Sequence, residues 1–530
     1  MRFLAGLALL LAAARSSAAE PAPLTLSLQE ATRRALERNT SLAVERESLE
    51  QAVSAVRGAR GAYDIVWDAD FLWKKNTDPV NSVFSGAPEG LLAPENESVE
   101  ASTSFSRLLP TGGSLSLSTG WGRATTNGVF TILSPAYATE AGISLRQPIL
   151  RNLRIDPARE AIRVAAADRS ASEARLRRVI IDTVARVDAA YWGLVAARRD
   201  VASIESSVAL ADRQLSETKS RVEVGELGST GIAEPTAELE RRKGNLALAR
   251  QRVEEAENTL KLLVLGDPRE PAWASQVTPT DPPETELKRA DVEEALATAL
   301  ARRPEIEEAR AQRQRAEAQV EGRRGDLLPK LDLVASYQRR GLAGRENPDA
   351  VNFNGQPVVV PPALGGGTWR SYGTIGENRF PDASVGLAFS LPLPNRTAKA
   401  NLAIARSRLS QASLGISAAE QDSEAEVRNA VFALQTAEQR IEAARASRAA
   451  AETQLMAEQE RFAVGLSTNF LVLTRQNDLT AARVTETSAL TDYRKAETEL
   501  SRATGSLLED RRIEIERPPG GDASPEKGVH

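Results

Sequence analysis

The chain contains no cysteine and a single histidine, His530, in 530 residues. Without thiols there is no disulfide, no zinc–thiolate centre and no acylated cysteine of the lipoprotein kind. No histidine within the body of the chain offers acid–base or metal chemistry, and no glycine-rich phosphate loop follows a strand. No enzyme constellation stands out, so no catalytic residue, cofactor or metal site is expected. Aromatic residues make up only 4% of the chain. That scarcity, with abundant alanine and charge, suits long packed helices better than a broad globular core. The net charge of -5 is mild, and neither a basic stripe for nucleic acid nor an acidic block is present. Past the N-terminus no window has the length and apolarity of a transmembrane helix, so an exported chain of this kind is either soluble or embedded through β-strands.

What is present begins with an address. Met1-Arg2, an apolar run from Phe3 to Ala14 and the small residues up to Ala19 have the layout of a secretory leader, with cleavage expected after Ala19. The alternative, an N-terminal anchor helix, is too short to span comfortably.

The dominant pattern is a heptad seam. Apolar or small residues recur in steps of four and three at Leu176, Ile180, Thr183, Val187, Ala190, Leu194, Ala197, Val201, Ile204, Val208, Ala211, Leu215, Thr218 and Val222. The seam predicts a helix from about Arg159 to Val224, roughly 100 Å long, that must lie against another helix, with the Arg, Glu and Asp positions between forming a solvated face. After Val224-Gly225 and a glycine-rich run to Gly231, Ile232, Leu239, Leu246, Val253 and Leu260 return at steps of seven, which makes an antiparallel hairpin. An offset of 240 repeats it: Val187 falls on Val427, Leu194 on Leu434, Arg221 on Arg461, Val224-Gly225 on Val464-Gly465 and Leu239 on Leu479. The opening helix repeats too, at an offset of 264, from Glu30, Ala31 and Leu36 onto Glu294, Ala295 and Leu300, and Asp68 onto Asp332. Gly225 and Gly465 are expected to let the chain reverse where a side chain would clash.

Elsewhere the period changes to two. Ile65, Trp67, Ala69, Phe71 and Trp73 fall on one face of a strand from Tyr63 to Lys74, with Asp64, Asp68, Asp70 and Lys74 on the other. The same alternation marks Ser98 to Arg107, Ser114 to Gly122, Ala141 to Arg146, Leu331 to Tyr337 and Val385 to Leu391. A soluble sandwich alternates in the same way, but the leader and the lack of core partners favour a membrane barrel with a lipid face and a lumen face. Asn76 to Glu97, Arg123 to Ala138 and Gly341 to Pro381 are predicted as long exposed loops, and Leu109 to Gly113 as a tight turn. The organisation expected is a signal peptide, 1–19; a first repeat of helix, strands and hairpin, 20–265; a proline-rich linker, 266–290; a second repeat, 291–508; and a disordered tail, 509–530.

Together these features resemble the TolC-like outer-membrane efflux family over nearly the whole mature chain. The points that carry the likeness are the two Glu-Ala…Ala-Leu openings, Leu328-Pro329-Lys330-Leu331, Gln147-Pro148-Ile149, Leu391-Pro392-Leu393 and the two Val-Gly tips. The resemblance implies a mixed α/β membrane protein, internally duplicated, whose long helical hairpins form a periplasmic α-barrel and whose strands complete an outer-membrane β-barrel by trimerisation. It implies an outer-membrane channel extending into the periplasm, serving a tripartite efflux pump or type I secretion system, with outer-membrane lipid, a periplasmic adaptor (membrane fusion) protein and an inner-membrane transporter as partners. Adaptor docking would fall on Val224, Gly225, Glu226, Leu227, Val464, Gly465, Leu466 and Ser467. The chain departs from the family pattern in three places. Six positions past each tip glycine, where acidic rings narrow the entrance, stand Gly231 and Leu471; with Glu223 they are the candidate gate positions, and Glu223 and Glu226 serve either as nearby charge or as solvated tip residues. Pro235 sits where the returning helix starts. The first half carries four strands instead of two, and the Ser98–Arg107 and Ser114–Gly122 pair either joins the barrel or folds outside it. Asp64, Asp68 and Asp70 read as lumen-facing residues ahead of cation ligands, Arg324-Gly325-Asp326 as a helix end, and Asn96-Glu97-Ser98 as a surface loop. The rival functions are a soluble periplasmic coiled-coil spacer, which leaves the strands unused, and a periplasmic enzyme, which lacks a site.

Overall fold

The structure, a computed structural model, describes residues 23–77, 79, 86–88, 91–226, 228–284, 286–352, 356 and 358–514. The leader 1–19, Leu227 and the tail from 515 onward lie outside the described residues. In chain order the elements are β1 (Leu24–Leu26), α1 (Leu28–Arg38), α2 (Thr40–Arg60), β2 (Val66–Thr77), β3 (Glu95–Leu108), β4 (Ser114–Thr126), β5 (Leu133–Pro148), α3 (Pro157–Glu223), α4 (Ala233–Val264), β6 (Val277–Pro279), α5 (Val292–Arg302), α6 (Pro304–Gly325), β7 (Lys330–Glu346), α7 (Thr368–Gly376), β8 (Phe380–Ser390), α8 (Arg396–Ala463), α9 (Asn469–Thr504) and α10 (Leu507–Asp510). The chain divides into two compact units. One comprises the residues up to Leu49, Ser172–Ala309 and those from Gly415 on; the other comprises Glu50–Ala171 and Arg310–Leu414.

The first unit holds both helical hairpins apart from the first residues of α3 and α8. Seam residues Leu176, Ile180, Thr183, Val187, Leu194, Ala211, Leu215 and Thr218 of α3 are buried. Val187, Tyr191, Trp192 and Leu194 pack with Leu260 and Val264 of α4, with α1 and with the two short strands β1 and β6, which pair in parallel. The second hairpin builds its counterpart from Leu434, Ala437, Ile441 and Ala444 against Ala489, Leu490 and Tyr493. Each fully buried large apolar side chain here contributes about 1.5–3 kcal/mol. The Tyr191 hydroxyl is a hub: it accepts from the amides of Thr280 and Asp281, 3.1 Å each, and lies 2.6 Å from the Asp281 carboxylate and 3.1 Å from the Leu26 carbonyl, to which it can donate. Burial pushes its pKa up to about 12.

The face between seam positions is not uniformly solvated. Asp188 is wholly buried, and its carboxylate accepts from the Thr498 hydroxyl at 2.9 Å and from Arg511. The correction has a plain cause: α9 and the segment after α10 cover a second side of α3. Burial raises the pKa of Asp188, against the pull of Arg511 and Thr498.

The second unit contains one antiparallel sheet of six strands, in the order β2-β3-β4-β5-β7-β8. Its register sorts the side chains. Trp67, Phe105, Leu117, Ile143, Tyr337 and Ala383 form one cross-strand row, and Asp68, Ser104, Ser118, Gly142, Gln338 and Asp382 form the next row on the opposite face. The expected alternation is therefore real, and the β3–β4 pair is part of the sheet. The strands run further than alternation alone indicates. Residues 123–126 and 133–138 are strand, with Ala124 paired to Ala136, so only 127–132 connect β4 to β5. The predicted 341–381 loop opens as strand up to Glu346 and later contains α7. Asn96-Glu97-Ser98 lies inside β3, where Glu97 accepts from the Trp73 indole at 2.9 Å. Arg324-Gly325 does end a helix, α6, and Asp326 accepts from Arg151 and Arg323.

One half-buried acid on α3 sets a pH dependence. The Oδ1 of Asp200 has no hydrogen-bond partner, and burial pushes its pKa from 3.8 up to about 6, against the charge of Arg252. Between those values the folded chain keeps a proton that the unfolded chain has released. Asp200 thus contributes stability that is full below about pH 4 and lost as pH rises through about 6. Thermal melts from pH 4 to 7 are expected to show this decline, and Asp200→Asn is expected to flatten it; an identical decline in the variant would assign it to another group.

Candidate functional site

The two hairpin ends are built alike. At the end of α3 the Gly225 amide donates to the Val222 carbonyl at 3.1 Å and the Glu226 amide to the Arg221 carbonyl at 2.9 Å. At the end of α8 the Gly465 amide donates to Phe462 at 3.1 Å and the Leu466 amide to Arg461 at 2.8 Å. This is the Schellman cap, which requires a left-handed residue after the helix. Gly225 and Gly465 supply it with φ of +81° and +76°. A Cβ at either would have nothing within 4 Å, so the expected clash is absent and the requirement lies in the backbone angle alone.

Beyond the caps the two turns differ. Residues 229–232 form a single short 3-10 turn and Pro235 falls in the first turn of α4, where its missing amide costs nothing. In the second hairpin Thr468 caps α9, accepting from the Leu471 amide, while the Ser467 hydroxyl donates to Glu458. Of the docking candidates, Val224, Gly225, Glu226, Val464, Gly465 and Leu466 are exposed and Ser467 is half-buried. Val224 and Val464 are 71% and 70% exposed. The gate candidates Glu223, Gly231 and Leu471 are exposed as well, Leu471 in the first turn of α9.

What ties one hairpin end to the other was not foreseen. The Arg221 guanidinium lies 5.0 Å over the Phe462 ring. Further in, Arg242 is buried; it donates to the carbonyls of Ser207 (2.8 Å) and Leu473 (3.3 Å), to Gln476 (3.3 Å) and to Glu238 (2.7 Å), and Glu238 also accepts from Asn477 (2.9 Å). Burial alone would raise the pKa of Glu238, but the hydrogen bonds from Arg242, Asn477 and Arg241 hold it below the usual carboxylate range. The sequence signal was available: Arg242 stands three residues after Leu239 and Gln476 three before Leu479, polar residues on stripes that are otherwise apolar.

On the polar face of the sheet Asp68 and Asp70 stand opposite Ser104 and Ser102. Among the described residues, no group of three or more acidic or histidine side chains is placed to hold a metal ion, and no helix is long and apolar enough to cross a membrane.

Comparison with known proteins supplies the relatives. A family model described as Outer membrane efflux protein matches residues 107–265 and 295–506. The outer membrane efflux protein BepC of Brucella suis biovar 1 (strain 1330) is 28% identical over 354 residues, 66% of this chain and 69% of that protein. Among solved structures, the CmeC outer membrane channel of Campylobacter jejuni superposes with a TM-score of 0.62 at 16% identity, covering 91% of this chain and 86% of that one. A membrane protein from Pseudomonas aeruginosa gives 0.63 at 18%, covering 90% and 93%. At these identities the two structures speak to the fold alone.

Because open space surrounds Gly465, substitution there isolates the backbone requirement. Gly465→Ala is expected to destabilise the turn by about 1–2 kcal/mol, and Gly465→Asn by less, since asparagine tolerates the left-handed region. Hydrogen exchange at the Gly465 and Leu466 amides reads both. Equal acceleration in the two variants would mean that φ does not set the turn.

Proposed function

This chain belongs to the outer membrane efflux protein family, and from that membership we propose that three copies close one channel through the outer membrane. The family is one of channels, not enzymes, and the protein resides in the outer membrane and extends into the periplasm. The observation that carries the trimeric reading is the sheet itself. One of its faces bears Trp67, Phe71, Val385 and Leu387, each more than half exposed, and no described segment covers them. Its edges, β2 and β8, run in opposite directions in an even-numbered antiparallel order, so β8 of one copy can continue the ladder with β2 of the next. A strand edge in lipid has no other source of partners. Six strands from each of three copies make eighteen, a wider pore than a four-stranded contribution would close.

In this reading the repeats 20–265 and 291–508 supply the hairpins of a periplasmic tunnel, and the linker 266–290 belts it. The hairpin ends, from Val224 to Leu227 and from Val464 to Ser467, dock on a periplasmic adaptor protein that joins the channel to an inner-membrane transporter. Substrates then pass outward through a gated conduit of the tripartite efflux or type I secretion kind. With Gly231 and Leu471 uncharged, acidic charge near the tip comes in this reading from Glu223 and Glu226 beside Gly225. A soluble coiled-coil spacer is the weaker reading, because it would leave the aromatic face of the sheet in water.

The absence of native cysteine makes a labelling test direct. Single cysteines at Leu115 and Leu117 are expected to be shielded from aqueous thiol reagents in membranes, and one at Ser116 to react from the lumen; equal labelling of all three would rule out a six-strand contribution. For the hairpin ends, Gly465→Val is expected to abolish export while the assembly remains inserted, and unimpaired export would remove them from adaptor docking.

A further inference from the structure

The outward face of the sheet carries one element that belongs neither to an apolar belt nor to a solvated loop. Helix α7 lies flat on β5 and β7. It sits closely because Gly341 has no side chain: a Cβ there would lie 2.0 Å from the Ser371 carbonyl oxygen. The Ser371 and Thr139 hydroxyls are 2.7 Å apart, and Thr374 accepts from the Leu342 amide at 3.2 Å. Ser371 and Thr374 are fully buried, so the polar side of this helix faces the strands. Its free side shows aromatic rings instead: Trp369 is 86% exposed, and its ring lies 6.1 Å from that of Tyr372.

Charge gathers at the same place. Glu377, just past the helix, pairs with both Arg370 and Arg379. The next residue, Asn378, accepts from the Tyr337 hydroxyl at 3.2 Å, and that hydroxyl accepts in turn from Arg339 at 3.0 Å. Two guanidinium groups thus share one carboxylate, and a third, that of Arg339, is tied to the same place through Tyr337 and Asn378, beside exposed Trp and Tyr rings. The height on the sheet is also telling. Thr139 and Gly341 pair in the row of Phe71, Ala101 and Trp121, toward the end remote from Pro148, where β5 leaves for α3. The rows nearer Pro148 hold Leu117, Ile143, Leu145, Ala335 and Val385. From Leu333 to Gly341 is eight residues, about 27 Å along a strand and roughly 19 Å along the membrane normal at a typical tilt, which brings α7 close to the far rim of a band about 25 Å tall.

We propose that α7 with Arg339, Arg370 and Arg379 is a docking surface for the phosphate-bearing headgroups of outer-leaflet lipids, and that it fixes the depth at which the sheet sits in the membrane. Trp and Tyr settle at the headgroup level, and guanidinium forks match phosphate oxygens. Continuity with the apolar rows favours lipid over a protein occupant. The proposal rests on the reading of that face as lipid-facing.

The test uses the full assembled chain in vesicles of phosphatidylcholine with or without phosphatidylglycerol, carrying a fluorophore on Gly376→Cys, an exposed position of α7 where an added Cβ meets nothing within 4 Å and every proposed headgroup contact is kept. Nitroxide lipids labelled at the headgroup are expected to quench it more than lipids labelled deep in the chain, and phosphatidylglycerol to strengthen the contact. Arg370→Gln with Arg379→Gln is expected to weaken the preference for phosphatidylglycerol about tenfold. A control fluorophore on Leu117→Cys is quenched by the deep label if the face meets lipid. Quenching at Leu117 with none at Gly376 would overturn the proposal and leave the lipid-facing sheet standing, with water or a protein over α7. Quenching at neither site would overturn the lipid-facing reading itself. Stronger quenching of Gly376→Cys by the deep label, or a lipid preference unchanged by the arginine substitutions, would also overturn the headgroup assignment.

Discussion

The seam between paired helices is the interaction on which the helical part of this chain depends. α3 and α8 are 67 and 68 residues long, and an isolated helix of this composition would gain little from propensity alone. Its stability comes from hiding a narrow stripe, in which Val187 and Leu194 meet Leu260 in one hairpin and Leu434 and Ile441 meet Leu490 in the other. Because the stripe repeats every seven residues instead of drifting with the 3.6-residue turn, the partner helix can follow it without losing register. A partner supplied by the same chain must come back antiparallel, and that demands a sharp stop at the end of α3 and of α8. The same left-handed glycine cap at both ends is the local consequence.

The two hairpins are held to the linker by a pair of buried tyrosines. Tyr191 of α3 takes the amides of Thr280 and Asp281, and Tyr493 of α9 takes the amide of Lys288 at 2.8 Å. The linker is therefore fastened at two points in its second half to the cores of the two hairpins, and the phenol on the α3 side also touches the carbonyl of Leu26 in β1. Asp188 adds a further tie, since its carboxylate joins α3 to Thr498 and to Arg511 beyond α10. Removing either partner of such a pair leaves a buried charge alone, which costs more than the pair contributes when intact.

Periodicity made the long helices, both hairpin ends and the faces of the six strands legible in the sequence, because one buried stripe or face imposes one spacing. The rest depended on contacts distant in the chain. α7 contains two glycines in nine residues and has little helical propensity; it forms where Gly341 and Thr139 offer it a floor. β4 and β5 extend through residues that alternate weakly because each finds a ladder partner in the other. Asp188 is a charged position between seam residues, and its burial comes from an element more than 300 residues away. The sequence suggests tip glycines that avoid a clash, whereas their surroundings are open and only the sign of φ matters. Arg242 interrupts an apolar stripe, a signal that the heptad reading passes over, and the interruption does not name Gln476 and Leu473 as its partners.

The extra strands also obey a constraint of parity. By the offset of 264, β7 corresponds to β2 through Asp68 and Asp332, and a proline follows the same course at the exit of β5 (Pro148) and after β8 (Pro392). Among the described residues β3 and β4 have no counterpart in the second half, and they sit between β2 and β5 in the sheet. Their turn is tight, with the Leu109 amide donating to Gly113 at 2.7 Å and the Gly112 amide to Leu109 at 2.9 Å. Inserting a hairpin adds one strand in each direction, so β2 and β8 remain opposed at the edges and each can still meet the other from a neighbouring copy. A single inserted strand would have left the two edges running the same way, and an antiparallel ladder could not then close through identical copies. Growth in pairs is the route by which a protomer can widen the closed sheet proposed for its trimer while keeping its own edges compatible.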